Sequence, residues 1–302
     1  MASTLDHNRA DSPAAIAPSP VVTPPVAAFR AMAICALMLI AFWPILTSMY
    51  GSWMDDRAYM EHGILVIPAA AYMAWTKRQK LAQIPLQPSV WGVVLLAWGA
   101  AQATLSVVAF WPWVGRTAFL ISLLGAILAV YGTRMAYALI YPLGTLLLMI
   151  APPGFIYDRL TLSLQLLASR LGETFLETLG YSVMREGNIL ELVGTKLSVE
   201  EACSGIRSLF SILFMCTLYN FFFVRGNFTK AFIMVMAIPI AILGNAGRIL
   251  ATGIASQYNR DLIQGVSHEA FGYISVVVAA MGCVALHLII LSVQKSWRSR
   301  HA

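Results

Sequence analysis

An all-α membrane protein of about eight transmembrane helices, with an outer amphipathic helix and a short β-hairpin ahead of the sixth span, is the fold that the sequence predicts. Three observations lead there. The 302 residues are 59% hydrophobic and 11% charged, with a mean hydropathy of +0.74, more apolar surface than a water-soluble core of that length can hide. The apolar residues fall in runs close to the roughly 20 residues of helix that cross a ~30 Å hydrocarbon core. Lys and Arg gather in alternate connections between those runs, the bias that marks cytoplasmic loops.

Residues 1–28, rich in Ala, Pro and Ser and without a periodic apolar face, predict a disordered cytoplasmic tail. The run 29–50 lacks a small-residue cleavage site and predicts an uncleaved first helix, not a signal peptide. Runs at 62–76, 91–110, 115–132, 135–151, 204–224, 230–251 and 268–293 follow, of which 62–76 is short for a span. Residues 29–293 then form a single polytopic domain, and 294–302 a basic cytoplasmic tail. Between the fifth and sixth spans lies the segment 152–203, opened by the helix-breaking Pro152-Pro153-Gly154. Leu160, Leu164, Leu167, Leu171 and Phe175 recur at helical spacing there, with Arg170, Glu173 and Glu177 on another face. An amphipathic helix near 158–180, lying along the membrane interface, is expected. Leu190 and Leu192, then Leu197 and Val199, alternate around Val193-Gly194-Thr195-Lys196 and predict the hairpin.

The net charge of +6 comes from bases scattered between apolar runs, so it argues topology and against nucleic acid. Arg9, Arg30, Lys77, Arg78, Lys80, Arg134, Arg225, Lys230, Lys295, Arg298 and Arg300 fall on one side, which receives only Asp6 and Asp11 among the acids. Both termini are expected there, in the cytoplasm. Four dispersed cysteines make no disulfide framework, and no Cys/His spacing suits a metal; no cofactor is expected.

Ionisable groups inside spanning helices need a partner or a function. Cys203 starts the sixth span, Arg248 lies near the outer end of the seventh and His268 starts the eighth, so the topology puts all three at one depth. A helix N-terminus and a nearby guanidinium favour the thiolate. Ser204 and Gly205 put little bulk beside Cys203, which would let a peptide backbone approach, and Arg207 lies one turn deeper on the same face. Taken singly, a helix-starting Cys, a snorkelling Arg and a capped helix start at Ser267-His268 are each the blander reading. Together they supply a nucleophile, an oxyanion-stabilising charge and a base, with Asn245 one turn before Arg248 to orient it. His62, in Glu61-His62-Gly63, is a candidate for lining a substrate cleft. His287 reads as a packing or inter-helix hydrogen-bonding residue.

Glu201-Ala202-Cys203-Ser204-Gly205-Ile206-Arg207, then Asn245-Ala246-Gly247-Arg248-Ile249, then His268-Glu269 resemble the exosortase/archaeosortase family of membrane-embedded cysteine transpeptidases, and Glu61-His62-Gly63 resembles a further family feature. The resemblance implies Cys203 as nucleophile, Arg248 as its basic partner and His268 as third member. It also implies the substrates: membrane-anchored proteins with a C-terminal sorting signal of short motif, transmembrane helix and basic tail. Cleavage would follow at the outer, periplasmic side of the inner membrane, with a surface polymer or lipid as candidate acceptor. Two rivals remain open at this point, a transporter or channel with an Arg/His-lined path and a membrane thioester acyltransferase.

Overall fold

The computed structural model describes residues 24–54, 60–192, 195–199, 205–258 and 265–301, with side chains except those of 24–28, 265–269 and 301. In chain order it contains α1 (Pro24–Ala41), α2 (Trp43–Met54), α3 (Gly63–Thr76), α4 (Arg78–Leu81), α5 (Val90–Val108), α6 (Pro112–Val130), α7 (Thr133–Ala138) and α8 (Ile140–Thr145). A 3-10 turn (Leu146–Met149), α9 (Gly154–Thr178), β1 (Val183–Glu186), β2 (Ile189–Leu192), β3 (Thr195–Ser198), α10 (Ile206–Phe223), α11 (Asn227–Tyr258) and α12 (Gly265–His301) follow. This is an all-α membrane protein with one small sheet. Among the described residues, five helices are long and apolar enough to cross a membrane, or up to seven spans if each of two bent pairs counts as one.

Proline accounts for two departures from the expected straight spans. The first apolar run bends by 77° between Phe29–Ala41 and Trp43–Met54, where Pro44, in the first turn of α2, has no N–H to continue the helical ladder. The run 135–151 divides into α7, α8 and the 3-10 turn. Pro142 cannot donate to the carbonyl of Ala138 four residues back, and Lys77 Nζ donates to that oxygen instead, at 3.2 Å. Helix α3 has 14 residues, with Pro68 inside it. The last helix runs through His301, so residues 294–301 extend it.

Helix α9 lies at 79° to the Ile140–Met149 stretch, as an interfacial helix would. Its buried face is offset from the leucine repeat, of which Leu164, Leu171 and Phe175 are half-buried. Thr161, Gln165, Ala168, Ser169, Gly172 and Leu176 are buried, while Leu160, Leu162, Leu166 and Leu167 stay exposed. Small residues let its backbone approach α11, as in membrane helix packing. A Cβ added at Gly172 would lie 2.6 Å from Ile249 Cγ2, and one at Gly253 would lie 3.2 Å from Leu176 Cδ1. The exposed leucines are then available to lipid.

The expected hairpin is a three-stranded antiparallel sheet in the order β1-β2-β3. Leu190 pairs with Leu197 and Leu192 with Thr195, so alternation puts Leu190, Leu192 and Leu197 on one face. These close a core with Ala168, Leu176, Val199 and Ile249. The sheet is thereby fixed over α9 and α11, immediately before the entry to α10.

Candidate functional site

Cys203, Ser204 and Glu201 lie outside the described residues, as do the side chain of His268 and the predicted boundaries at 1–23. The described neighbours of those positions converge. Gly205 caps α10 with φ +85°, a left-handed conformation that suits glycine. It sits directly on Asn245 of α11: a Cβ at position 205 would lie 2.8 Å from Asn245 Cγ and 2.9 Å from Nδ2. Asn245 and Arg248, three residues apart on one face of α11, are both buried. The Arg248 guanidinium packs against the backbone of α12 at Gly272, where an added Cβ would lie 3.3 Å from Arg248 Cζ.

A continuous path therefore crosses three helices: Gly205, two residues after Cys203; Asn245 and Arg248; then Gly272, one turn after His268. The lack of side chains at both glycines allows the approach. Gly244 and Gly282 repeat the device further along, with added Cβ atoms 3.2 Å from Ala279 Cβ and from Ile240 Cγ2. A narrow pocket lined by Leu164, Ala168, Gly205, Leu209, Ile242 and Asn245 opens between α9, α10 and α11. Asn245 is its one polar side chain, a pattern common in ligand pockets.

A second cluster fixes the start of α3 against α10. Arg207, in the first turn of α10, is ion-paired with Glu61. His62 Nε2 donates to Leu148 O at 3.1 Å, and its ring stacks on Phe210 with centroids 6.3 Å apart and planes at 10°. Phe214 completes the contact at 6.2 Å. Trp53 Nε1 donates to Met149 O at 3.0 Å, and the Trp53 indole covers Gly63 so closely that no Cβ could be added there. His62 is thus held by α10 and by the turn before α9, and Arg207 by Glu61. The pair Glu61–Arg207, separated by 146 residues, was not expected from the sequence; the carboxylate in Glu61-His62-Gly63 was the available signal.

His287 is deep in α12, with Nδ1 2.8 Å from Tyr219 Oη of α10. That inter-helix bond is far along both helices from Gly205 and Gly272. Among the described residues no group of three His, Cys, Asp or Glu side chains could hold a metal ion.

These features define a multi-pass membrane protein with a buried polar centre where three helices meet. Residues 53–285 match the family model described as transmembrane exosortase. The match covers more than half of the chain, and the chain belongs to that family. Membership brings a role in protein processing within the membrane, in a family of cysteine-peptidase-like character. No curated protein and no solved structure matches the chain.

Proposed function

We propose that the chain is a cysteine transpeptidase or peptidase that cleaves proteins carrying a C-terminal sorting signal, with Cys203 as nucleophile, Arg248 as oxyanion stabiliser and His268 as general base and acid. The observation that carries the proposal is the buried Asn245–Arg248 pair, between the residue that starts α10 just after Cys203 and the turn of α12 just after His268. Two glycines bring those three helices within van der Waals contact, so a shared site needs no rearrangement of the helices.

In the proposed reaction the Cys203 thiolate attacks the scissile carbonyl and forms a tetrahedral oxyanion beside Arg248. A fixed guanidinium in a water-poor site stabilises such charge strongly. Collapse breaks the C–N bond, and the leaving amine takes its proton from the His268 imidazolium. A thioester on Cys203 remains, which water or an acceptor nucleophile resolves with His268 as base. Asn245 orients Arg248, Ser204 and Gly205 leave room for the substrate backbone, and Glu201, Arg207 and His62 shape the entrance. A substrate helix with a basic cytoplasmic tail presents its short motif at the far membrane face. The basic end of the bundle near Lys77 and Lys230, opposite Gly205, supports that orientation in the inner membrane, with both termini cytoplasmic and the site on the outer side.

The test is co-expression with a substrate bearing a tripartite tail. Cys203→Ala should abolish processing with membrane insertion unchanged, and mass spectrometry of the native chain should find a peptide acyl group on Cys203. Full processing by the alanine variant would refute the nucleophile.

A further inference from the structure

At the end of the bundle away from Gly205, two ammonium groups flank a pair of aromatic rings. Lys77 Nζ lies 5.0 Å from the centroid of Phe221. The Phe221 and Tyr141 rings are 5.7 Å apart, and Lys230 Nζ is 4.8 Å from the Tyr141 centroid. Four elements supply this row: the residue after α3, then α8, the last turn of α10 and the first turn of α11. Asn220 Nδ2 donates to Lys230 O at 3.1 Å and anchors the start of α11 beside it.

Among the described residues the row has no carboxylate beside it. The described ion pairs employ Glu61, Glu173 and Glu191, and none involves Lys77, Lys80 or Lys230. The sequence has no Asp or Glu from residue 62 to 157 or from 202 to 260, the two stretches that carry these lysines. Lys77 and Lys230 are nonetheless close enough to repel one another, with Lys80 adding to the repulsion. Ring faces attract the ammonium groups but do not neutralise them. Beside the row, Phe222, Phe223 and Phe228 are 42%, 68% and 84% exposed. Exposed phenylalanine rings beside cations suit the boundary between headgroups and acyl chains.

We propose that Lys77 and Lys230 together bind the phosphate group of an anionic phospholipid headgroup. Compact ammonium donors from separate helices suit a phosphate, and basic recesses between helices at the cytoplasmic leaflet hold such headgroups. The exposed Phe222, Phe223 and Phe228 rings favour a phosphate that arrives on a lipid over one free in solution. The bound phosphate would tie the ends of α3 and α10 to the start of α11, independently of the chemistry at the opposite end.

The experiment follows the thermal unfolding of the purified full-length chain in neutral detergent. Phosphatidylglycerol, phosphatidylcholine or inorganic phosphate is added to wild type, to Lys77→Gln/Lys230→Gln and to the tail variant Lys295→Gln/Arg298→Gln. Phosphatidylglycerol should raise the midpoint of wild type and of the tail variant. The double lysine variant should lose most of that rise, and phosphatidylcholine should not reproduce it. An undiminished rise in the double variant, or an equal rise with phosphatidylcholine, overturns the site. A lysine-dependent rise with inorganic phosphate and none with phosphatidylglycerol overturns the lipid source. If the double variant does not fold, Lys230→Gln alone leaves the Lys77–Ala138 bond intact: a weakened response supports the site and an unchanged one overturns it.

Discussion

Helix α10 begins and ends beside a glycine with positive φ, and the two surroundings differ in kind. At its start Gly205 is pressed onto Asn245, Arg207 has the carboxylate of Glu61, and Arg248 is enclosed by α12. Past its end Gly226, with φ +87°, has only Thr229 Oγ1 within 4 Å of an added Cβ, at 3.9 Å. The lysines nearby meet ring faces and a backbone carbonyl and, among the described residues, no carboxylate. One end is closed and internally matched, as expected of a site that must hold charge in a fixed place. The other leaves cations beside ring faces, where the proposed headgroup phosphate would complete it. Substitutions should therefore cost function at the first end and change the response to surroundings at the second.

The largest effect belongs to Arg248. Arg248→Gln keeps a polar side chain but removes the charge, and processing of a co-expressed substrate should fall by about 10²–10³-fold, the usual loss for one oxyanion donor. Insertion and expression should stay close to wild type. A normal rate in this variant would remove the chemical distinction between the two ends.

The glycines give a direct comparison of crowding at matched backbone strain. Gly205→Ala adds a Cβ 2.8 Å from Asn245 Cγ at a φ of +85°, so either the loop or Asn245 must move. Strain and overpacking of this kind cost about 1–3 kcal/mol each. Gly226→Ala carries the backbone strain alone. Thermal unfolding should show the larger drop for Gly205→Ala, accompanied by lost processing, whereas Gly226→Ala should retain processing. Equal drops with processing intact in both would mean that Asn245 yields freely and does not orient Arg248.

Local pattern made much of this molecule legible in the sequence. Apolar runs marked the spanning helices because lipid demands length and composition. Alternation marked Leu190, Leu192 and Leu197 as residues of a hairpin, although the register is tighter than expected: Thr195 and Lys196 belong to β3, and Leu190 faces Leu197. Strand β1 was missed: Arg185 and Glu186 occupy half of its four residues, leaving little apolar alternation, although Gly187-Asn188 signalled the turn. The bend at Phe42 was missed because proline is also tolerated inside membrane helices, as Pro68 and Pro239 are here. The leucine repeat of α9 predicts an amphipathic helix, but the most buried face is offset from it and consists mainly of small and polar residues together with Leu176. In a membrane the most apolar face need not point inward. At the site, spacing pointed to Asn245 and Arg248, yet the Glu61–Arg207 pair depends on tertiary contact across 146 residues. The glycine contacts that bring α10, α11 and α12 together likewise have no local signature.

The smallest expected effect tests whether the lysine end is held against its own repulsion. Lys77, just beyond the end of α3, has its pKa lowered by burial first, then by Lys230 and Lys80. A lysine with a folded-state pKa below its unfolded value costs stability while it is charged in both states. That cost fades as pH rises from the lowered value towards the ordinary lysine range, where both states are neutral. Lys80→Gln removes one repelling charge without touching the Lys77–Ala138 bond. In detergent free of anionic lipid it should raise the unfolding midpoint slightly at neutral pH, and the gain should vanish as Lys77 loses its proton. Salt should shrink the same gain, because the repulsion is partly exposed to solvent. A gain that persisted through the alkaline range would come from something other than Lys77, and the row of lysines and rings would then be stable without an external anion.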